Sequence, residues 1–295
     1  MKRLHGTGVA LVTPFLKDGS VDYKSLRKVL QHTSRGVDYF VVMGTTGESV
    51  TLSPQERLDV LSFVRANNPK ALPIVYGIGG NNTQHVLEEI KSSDLSGVDA
   101  LLSVSPYYNK PSQEGIYQHF TRVADASPLP IILYNVPGRT ASNITAETTL
   151  RLAANRKIIG VKEASGNLEQ CMKISMSRPK GFLLISGDDM MTVPLYAVGA
   201  NGVISVLANA FPVEFRKMYD ACEGGDFEKA SEYAFGLLSI NGLMYEEGSP
   251  VGVKYLMSLM EVCKSHVRLP HTEPSQALKK KIEGVYKGMK QRRKS

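Results

Sequence analysis

The sequence predicts a parallel (β/α)8 barrel with a C-terminal helical extension. Three observations point there. Eight short apolar runs alternate with amphipathic segments, in units of about 25–30 residues, the repeat expected of βα units that close on themselves. Past about residue 225 the apolar runs stop and only helical patterning continues. The sixth run, Ile158-Ile159-Gly160-Val161, drives straight into a lysine, Lys162, before the chain turns at Glu163-Ala164-Ser165. A doubly wound sheet accommodates the same alternation, but eight regular units around one out-of-place lysine favour closure.

Gly8 to Pro14 reads as the first strand, ending at the proline. Asp22 is placed to cap the next helix, whose Leu26, Val29 and Leu30 share one face. Tyr39 to Met43 is the second strand and stops at Gly44-Thr45-Thr46-Gly47-Glu48-Ser49. Ser53-Pro54-Gln55-Glu56 then opens a helix with a capping box and a first-turn proline. Pro73 to Gly77 is the third strand, followed by a helix over Thr83 to Ser92. Ala100 to Val104 is the fourth, ending in Pro106-Tyr107-Tyr108-Asn109. Pro130 to Tyr134 is the fifth, running into Asn135-Val136-Pro137-Gly138-Arg139-Thr140. After the Lys162 strand come Phe182 to Ile185, ending in Ser186-Gly187-Asp188-Asp189, and Gly202 to Val206. Ala221 to Asp226, with Gly224-Gly225, reads as a hinge. The domain division expected is therefore a barrel over 1–225 and a helical segment over 226–295.

Composition narrows the function. Cys171, Cys222 and Cys263 are far apart and odd in number, so neither a disulfide framework nor a zinc site is expected, and a reducing cytoplasm fits. The apolar stretch Val9 to Val12 is too short for a signal segment, and no run reaches the length of a membrane span. The net charge of +7 is localised: Lys279, Lys280, Lys281, Lys287, Lys290, Arg292, Arg293 and Lys294 stand against Glu283 alone, leaving 27 basic and 27 acidic residues elsewhere. Such a tail reads as a solvated, frayed helix end. No interleaved aromatics support nucleic-acid binding.

A buried parallel strand is a continuous apolar run, so Lys162 is out of place at its end. It can snorkel to solvent, or pair with Glu163. Held among apolar walls instead, a neutral amine attacks a carbonyl and forms a Schiff base. Barrel chemistry gathers at the carboxyl ends of strands. Those ends here carry Thr45, Thr46, Tyr107, Tyr108, Tyr134, Arg139, Lys162 and Gly187: one amine, several hydroxyls and one fixed cation. Thr45-Thr46-Gly47 is either a carboxylate cradle of N–H groups and hydroxyls or a plain helix-capping turn. Tyr134 is a proton relay or an ordinary amphipathic tyrosine, and Arg139 a carboxylate clamp or a surface arginine. The set lacks the carboxylate pair of a glycosidase and any histidine cluster for a metal. The six histidines read as surface residues. Gly77 to Asn82 lacks the third glycine of a dinucleotide loop, and Gly44 to Ser49 lacks the lysine of a phosphate loop, so no cofactor is expected.

Taken together, Gly44-Thr45-Thr46-Gly47-Glu48-Ser49, Tyr107-Tyr108-Asn109, Tyr134-Asn135-Val136-Pro137-Gly138-Arg139-Thr140 and Gly160-Val161-Lys162-Glu163-Ala164 resemble the pyruvate-dependent class I lyases. Within them the likeness is to the dihydrodipicolinate synthase family, and it runs essentially end to end. The resemblance implies that Lys162 forms a Schiff base with pyruvate, whose carboxylate Thr46 holds. Tyr134, Thr45 and Tyr108 would relay protons, with Tyr108 entering from a neighbouring subunit. Arg139 would position L-aspartate 4-semialdehyde, and Gly187 and Ile204 would shape the pocket. It further implies a homotetramer built as a dimer of dimers.

The chain also departs from that pattern. Members inhibited by lysine carry histidines at the positions of Pro54 and Arg57 and a glutamate at that of His85; Ser49, Asn81 and Tyr107 of the same effector site are retained. Weak or absent lysine inhibition is expected. Ser249 before Pro250 replaces an asparagine common in the family. Sister lyases acting on N-acetylneuraminate or 2-keto-3-deoxy sugar acids share the lysine and tyrosine but usually replace the Pro-Gly-Arg-Thr element, so Arg139 favours the semialdehyde. A non-catalytic barrel whose basic tail contacts nucleic acid is the third reading, and the intact Lys162, Tyr134, Thr45 and Tyr108 set weighs against it.

Overall fold

The computed structural model describes residues 4–292; Arg293 and Lys294 of the basic tail lie outside the described residues. Eight strands close into a parallel barrel in chain order: β1 (Gly6–Ala10), β2 (Tyr39–Val42), β3 (Ile74–Gly77), β4 (Ala100–Val104), β5 (Ile131–Asn135), β6 (Ile158–Glu163), β7 (Leu183–Ser186) and β8 (Gly202–Ser205). Nearly every strand residue is buried, as a sheet covered on both faces requires. Between and after them run α1 (Tyr23–Thr33), α2 (Pro54–Ala66), α3 (Thr83–Ser92), α4 (Gln113–Ala126), α5 (Pro137–Thr140), α6 (Ala146–Ala153), α7 (Leu168–Ser177), α8 (Thr192–Ala197), α9 (Pro212–Glu223), α10 (Phe227–Asn241), α11 (Val251–Leu259) and α12 (Gln276–Arg292). Among the described residues no helix is long and apolar enough to cross a membrane.

Helix starts follow their capping residues. Asp22 accepts from the Ser25 N–H at 3.0 Å, and Ser53 and Glu56 form the reciprocal capping box. The first strand is shorter than expected and stops at Ala10 rather than Pro14. The Leu11 N–H still reaches the Val41 carbonyl, but the Val12 N–H donates to the Asn209 side chain at 3.2 Å, so the ladder ends there.

The chain forms two compact units: Pro73–Ile204 with the N-terminal residues to Gly6, and Thr7–Leu72 with Ser205 onward. In the first, β5, β6 and β7 run in a register that pairs Lys162 with Tyr134 and Ile185, and Glu163 with Asn135 and Ser186. His119 corrects the expectation of surface histidines. It lies on the inner face of α4 with Ile116, Phe120 and Val123, is buried, and sits 2.9 Å from the Thr83 hydroxyl. Burial pushes its pKa down to about 4.

In the second unit the basic tail is helical and docked as far as the described residues reach. Leu278, Ile282 and Met289 of α12 are buried, Glu283 bonds the Tyr255 hydroxyl, and Lys281 pairs with Glu246 at 2.5 Å. Lys280, Lys281, Lys287 and Lys290 are exposed on the outer face of a docked amphipathic helix.

Candidate active site

In a closed parallel barrel the carboxyl ends of all strands share one rim. Lys162 and Tyr134 occupy the penultimate positions of β6 and β5. Lys162 is only 5% exposed, and its Nζ lies 4.3 Å from the centroid of the Tyr134 ring. Neither of the bland readings of this lysine holds. It does not reach solvent, and Glu163, one residue on, faces the opposite side of the sheet, as strand alternation dictates.

Glu163 is itself buried and held by a polar network. Its carboxylate accepts from Asn135 Nδ2 at 3.0 Å, from Gln170 Nε2 at 2.8 Å and from the Ser165 N–H at 2.9 Å. Asn135 Oδ1 in turn accepts from the Ile144 N–H at 2.9 Å. The ends of β5 and β6 are therefore tied to each other and to α7 directly behind the Tyr134–Lys162 pair. Gly187, just past β7, donates its N–H to the Glu163 carbonyl at 2.8 Å. A Cβ there would lie 3.1 Å from Lys162 Cε. Ile204 is fully buried in β8.

Arg139 stands exposed on the four-residue α5, whose Thr140 is buried and donates to the Ser142 carbonyl at 2.7 Å. The loop after β4 is built differently. Tyr108 is 88% exposed with a left-handed φ of 73°, while Asn109 anchors the loop through a 2.9 Å bond to the Asn81 carbonyl. Tyr107 and Asn81 are half-buried, and His85 is exposed on α3.

In the other unit, β2 runs through Met43 and Gly44 into a 3-10 turn, Thr45–Gly47, with Thr46 buried and Thr45 exposed. The Thr13 hydroxyl donates to the Gly47 carbonyl at 2.7 Å, and Glu48 closes the turn in the left-handed region (φ 55°), its N–H on the Thr45 carbonyl. Ser49, half-buried, begins a second short turn, and Pro54 and Arg57 lie at the start of α2.

Sequence reasoning missed what holds this turn. The Glu48 carboxylate accepts from Lys254 Nζ at 2.7 Å and from the Arg268 N–H at 3.1 Å, and Lys254 also donates to the Thr13 carbonyl at 2.8 Å. The two charged side chains are 1% and 0% exposed. Burial lowers the Lys254 pKa from the ordinary lysine value, and Glu48 pulls it back up. Arg268 adds a bidentate pair with Glu56, at 2.9 and 2.5 Å, which holds that carboxyl down at about 2. One signal was available: Lys254 interrupts the apolar helix Val251-Gly252-Val253-Lys254-Tyr255-Leu256-Met257 as abruptly as Lys162 interrupts its strand.

The model of the dihydrodipicolinate synthetase family matches residues 3–288. A 4-hydroxy-tetrahydrodipicolinate synthase of Cytophaga hutchinsonii is 49% identical over 287 residues, covering 97% of each chain. A solved dihydrodipicolinate synthase from Aquifex aeolicus superposes with a TM-score of 0.92 at 36% identity, over 97% of this chain and 98% of its own. Another, from Acinetobacter baumannii and complexed with pyruvate, gives 0.93 at 36% identity, over 97% and 99%.

Proposed function

The chain belongs to the dihydrodipicolinate synthetase family, and from that premise we propose that Lys162 is the nucleophile through which it condenses pyruvate with L-aspartate 4-semialdehyde. The enzyme is a Schiff-base lyase whose product, 4-hydroxy-tetrahydrodipicolinate, opens diaminopimelate and lysine synthesis. The observation that supports Lys162 in particular is its setting. Among the described residues two lysines are buried, Lys162 and Lys254. Lys254 is committed to Glu48, whereas the Lys162 amine lies against the Tyr134 ring.

Lys162 Nζ attacks the keto carbon of pyruvate, and the carbinolamine oxygen leaves as water on a proton delivered by Tyr134. The iminium nitrogen acidifies the methyl group, which gives up a proton and becomes an enamine carbon. That carbon adds to the aldehyde of the semialdehyde, whose oxygen takes up a proton. The semialdehyde's own amine then attacks the iminium carbon, closing the ring and releasing Lys162. We assign Thr46 and the N–H groups of its turn to the pyruvate carboxylate, Thr45 and Tyr108 to the relay with Tyr134, and Arg139 to the semialdehyde carboxylate. Gly187 and Ile204 shape the pocket.

Tyr108, 88% exposed on a loop with positive φ, suits a side chain that completes a neighbour's site. It supports assembly as a dimer; doubling into a tetramer and a cytoplasmic location are part of the same proposal, carried by the family likeness. Weak or absent lysine inhibition is expected: Ser49, Asn81 and Tyr107 are retained, but Pro54 and Arg57 replace the histidines of sensitive members, and His85 supplies no negative charge for the effector's amino group. Steady-state inhibition is the check: an inhibition constant in the micromolar range overturns this.

Borohydride reduction in the presence of pyruvate tests the assignment. Mass analysis should place one reduced pyruvate on Lys162, and Lys162→Ala should lose the adduct. Label on another residue refutes the mechanism, and condensation with N-acetylmannosamine in place of the semialdehyde refutes the substrate.

A further inference from the structure

The ion pair of Glu48 and Lys254 joins residues 206 apart in sequence and is sealed from solvent. Enclosing two charges is costly unless each is fully bonded, and an enclosed pair is a poor way to gain stability alone. Its best-attested use is to fix one arrangement out of several, so the question is which arrangement is fixed here.

The bonds around the pair answer that. Glu48 is the residue that closes the Thr45–Gly47 turn, in a left-handed conformation that a side chain disfavours. Its carboxylate accepts from Lys254 on α11 and from the backbone of Arg268, and its N–H donates to the Thr45 carbonyl. Thr13 is gripped twice: its carbonyl accepts from Lys254, and its hydroxyl donates to the Gly47 carbonyl. The ammonium also lies 4.3 Å from the centroid of the Phe15 ring, which closes its remaining side. One ammonium thus ties the exit of β1 and the end of the threonine turn to a helix from the far end of the chain.

We propose that Lys254 and Glu48 are positioning residues for the pyruvate carboxylate: the C-terminal segment sets the orientation of Thr45 and Thr46, and with it the affinity for the keto acid, without touching the substrate. This rests on the assignment of Thr46 to that carboxylate.

The test is a double-mutant cycle read in substrate constants and in melting temperature. Lys254→Met keeps the length of the side chain and removes the charge; Glu48→Gln keeps its shape. Each should raise KM for pyruvate roughly tenfold, with a smaller change in kcat. The double variant should be no worse than the poorer single one, because both remove the same ion pair. Borohydride with saturating pyruvate should still label Lys162 in each variant. A folded variant of either kind that melts lower but keeps the wild-type KM for pyruvate overturns the proposal, as do effects on KM that multiply in the double variant. If Lys254→Met fails to fold, Glu48→Gln alone decides by the same KM criterion. Failure of the wild-type protein to be labelled at Lys162 strikes the underlying assignment instead, so the two outcomes are separable.

Discussion

A methyl group at position 187 would sit 2.6 Å from the Cβ of Ala164, too close to keep, and 3.1 Å from the Cε of Lys162, a tight contact to which the side chain must give way slightly. Gly187→Ala must therefore push Ala164 at the β6 exit and crowd the lysine beside it. Overpacking of this kind costs about 1–3 kcal/mol, and here part of it falls on the nucleophile. We expect a lower melting temperature and a rate of borohydride trapping with pyruvate reduced roughly tenfold, since small misplacements of a reacting group are expensive. An unchanged trapping rate would show that the lysine does not depend on this space. Lys162 was legible in the sequence because a lysine ending an apolar strand is anomalous. The same anomaly at Lys254 has another meaning, and the difference lies in Glu48, 206 residues away. A charge inside an apolar run marks a residue that must be explained; whether it is a nucleophile or half of an ion pair depends on its neighbours in space, which sequence spacing does not give.

At the scale of elements, what could be read was what local chemistry dictates. Helix starts at Asp22 and Ser53 follow from side chains that satisfy backbone donors three residues on, and the strands follow from their apolar runs. The errors lie in tertiary packing. β1 ends early because Asn209 takes the Val12 N–H. His119 is buried because α4 turns that face inward, a placement that the i, i+3, i+4, i+7 spacing of Ile116, His119, Phe120 and Val123 could have signalled. The last helix is docked through Leu278, Ile282 and Met289, although its charge suggested a frayed end. Behind the site, Glu163, Asn135 and Gln170 form a buried network in which each polar atom finds a partner. A network so satisfied is rigid, and it holds the β5 and β6 exits in the register that brings Tyr134 beside Lys162.

For the whole molecule, the barrel was legible because its strands pair in chain order, so no topology had to be guessed beyond the repeat itself. Assembly is a different matter, since one chain contains only its own surface. Tyr108 is the residue that links the two scales. It is exposed, held by an anchored loop, and assigned to a proton relay. If it serves the site of a neighbour, two inactive variants should complement each other. A subunit with Lys162→Ala lends an intact Tyr108 to a partner with Tyr108→Phe, whose own Lys162 is intact. Every mixed dimer then contains one complete site. Random association of co-expressed subunits makes about half the dimers mixed, so activity should recover to roughly a quarter of the wild-type value when each parent alone is nearly inactive. Activity no greater than the average of the two parents would mean that Tyr108 acts within its own chain or not at all. In either case it would remove the reason to require a dimer for catalysis.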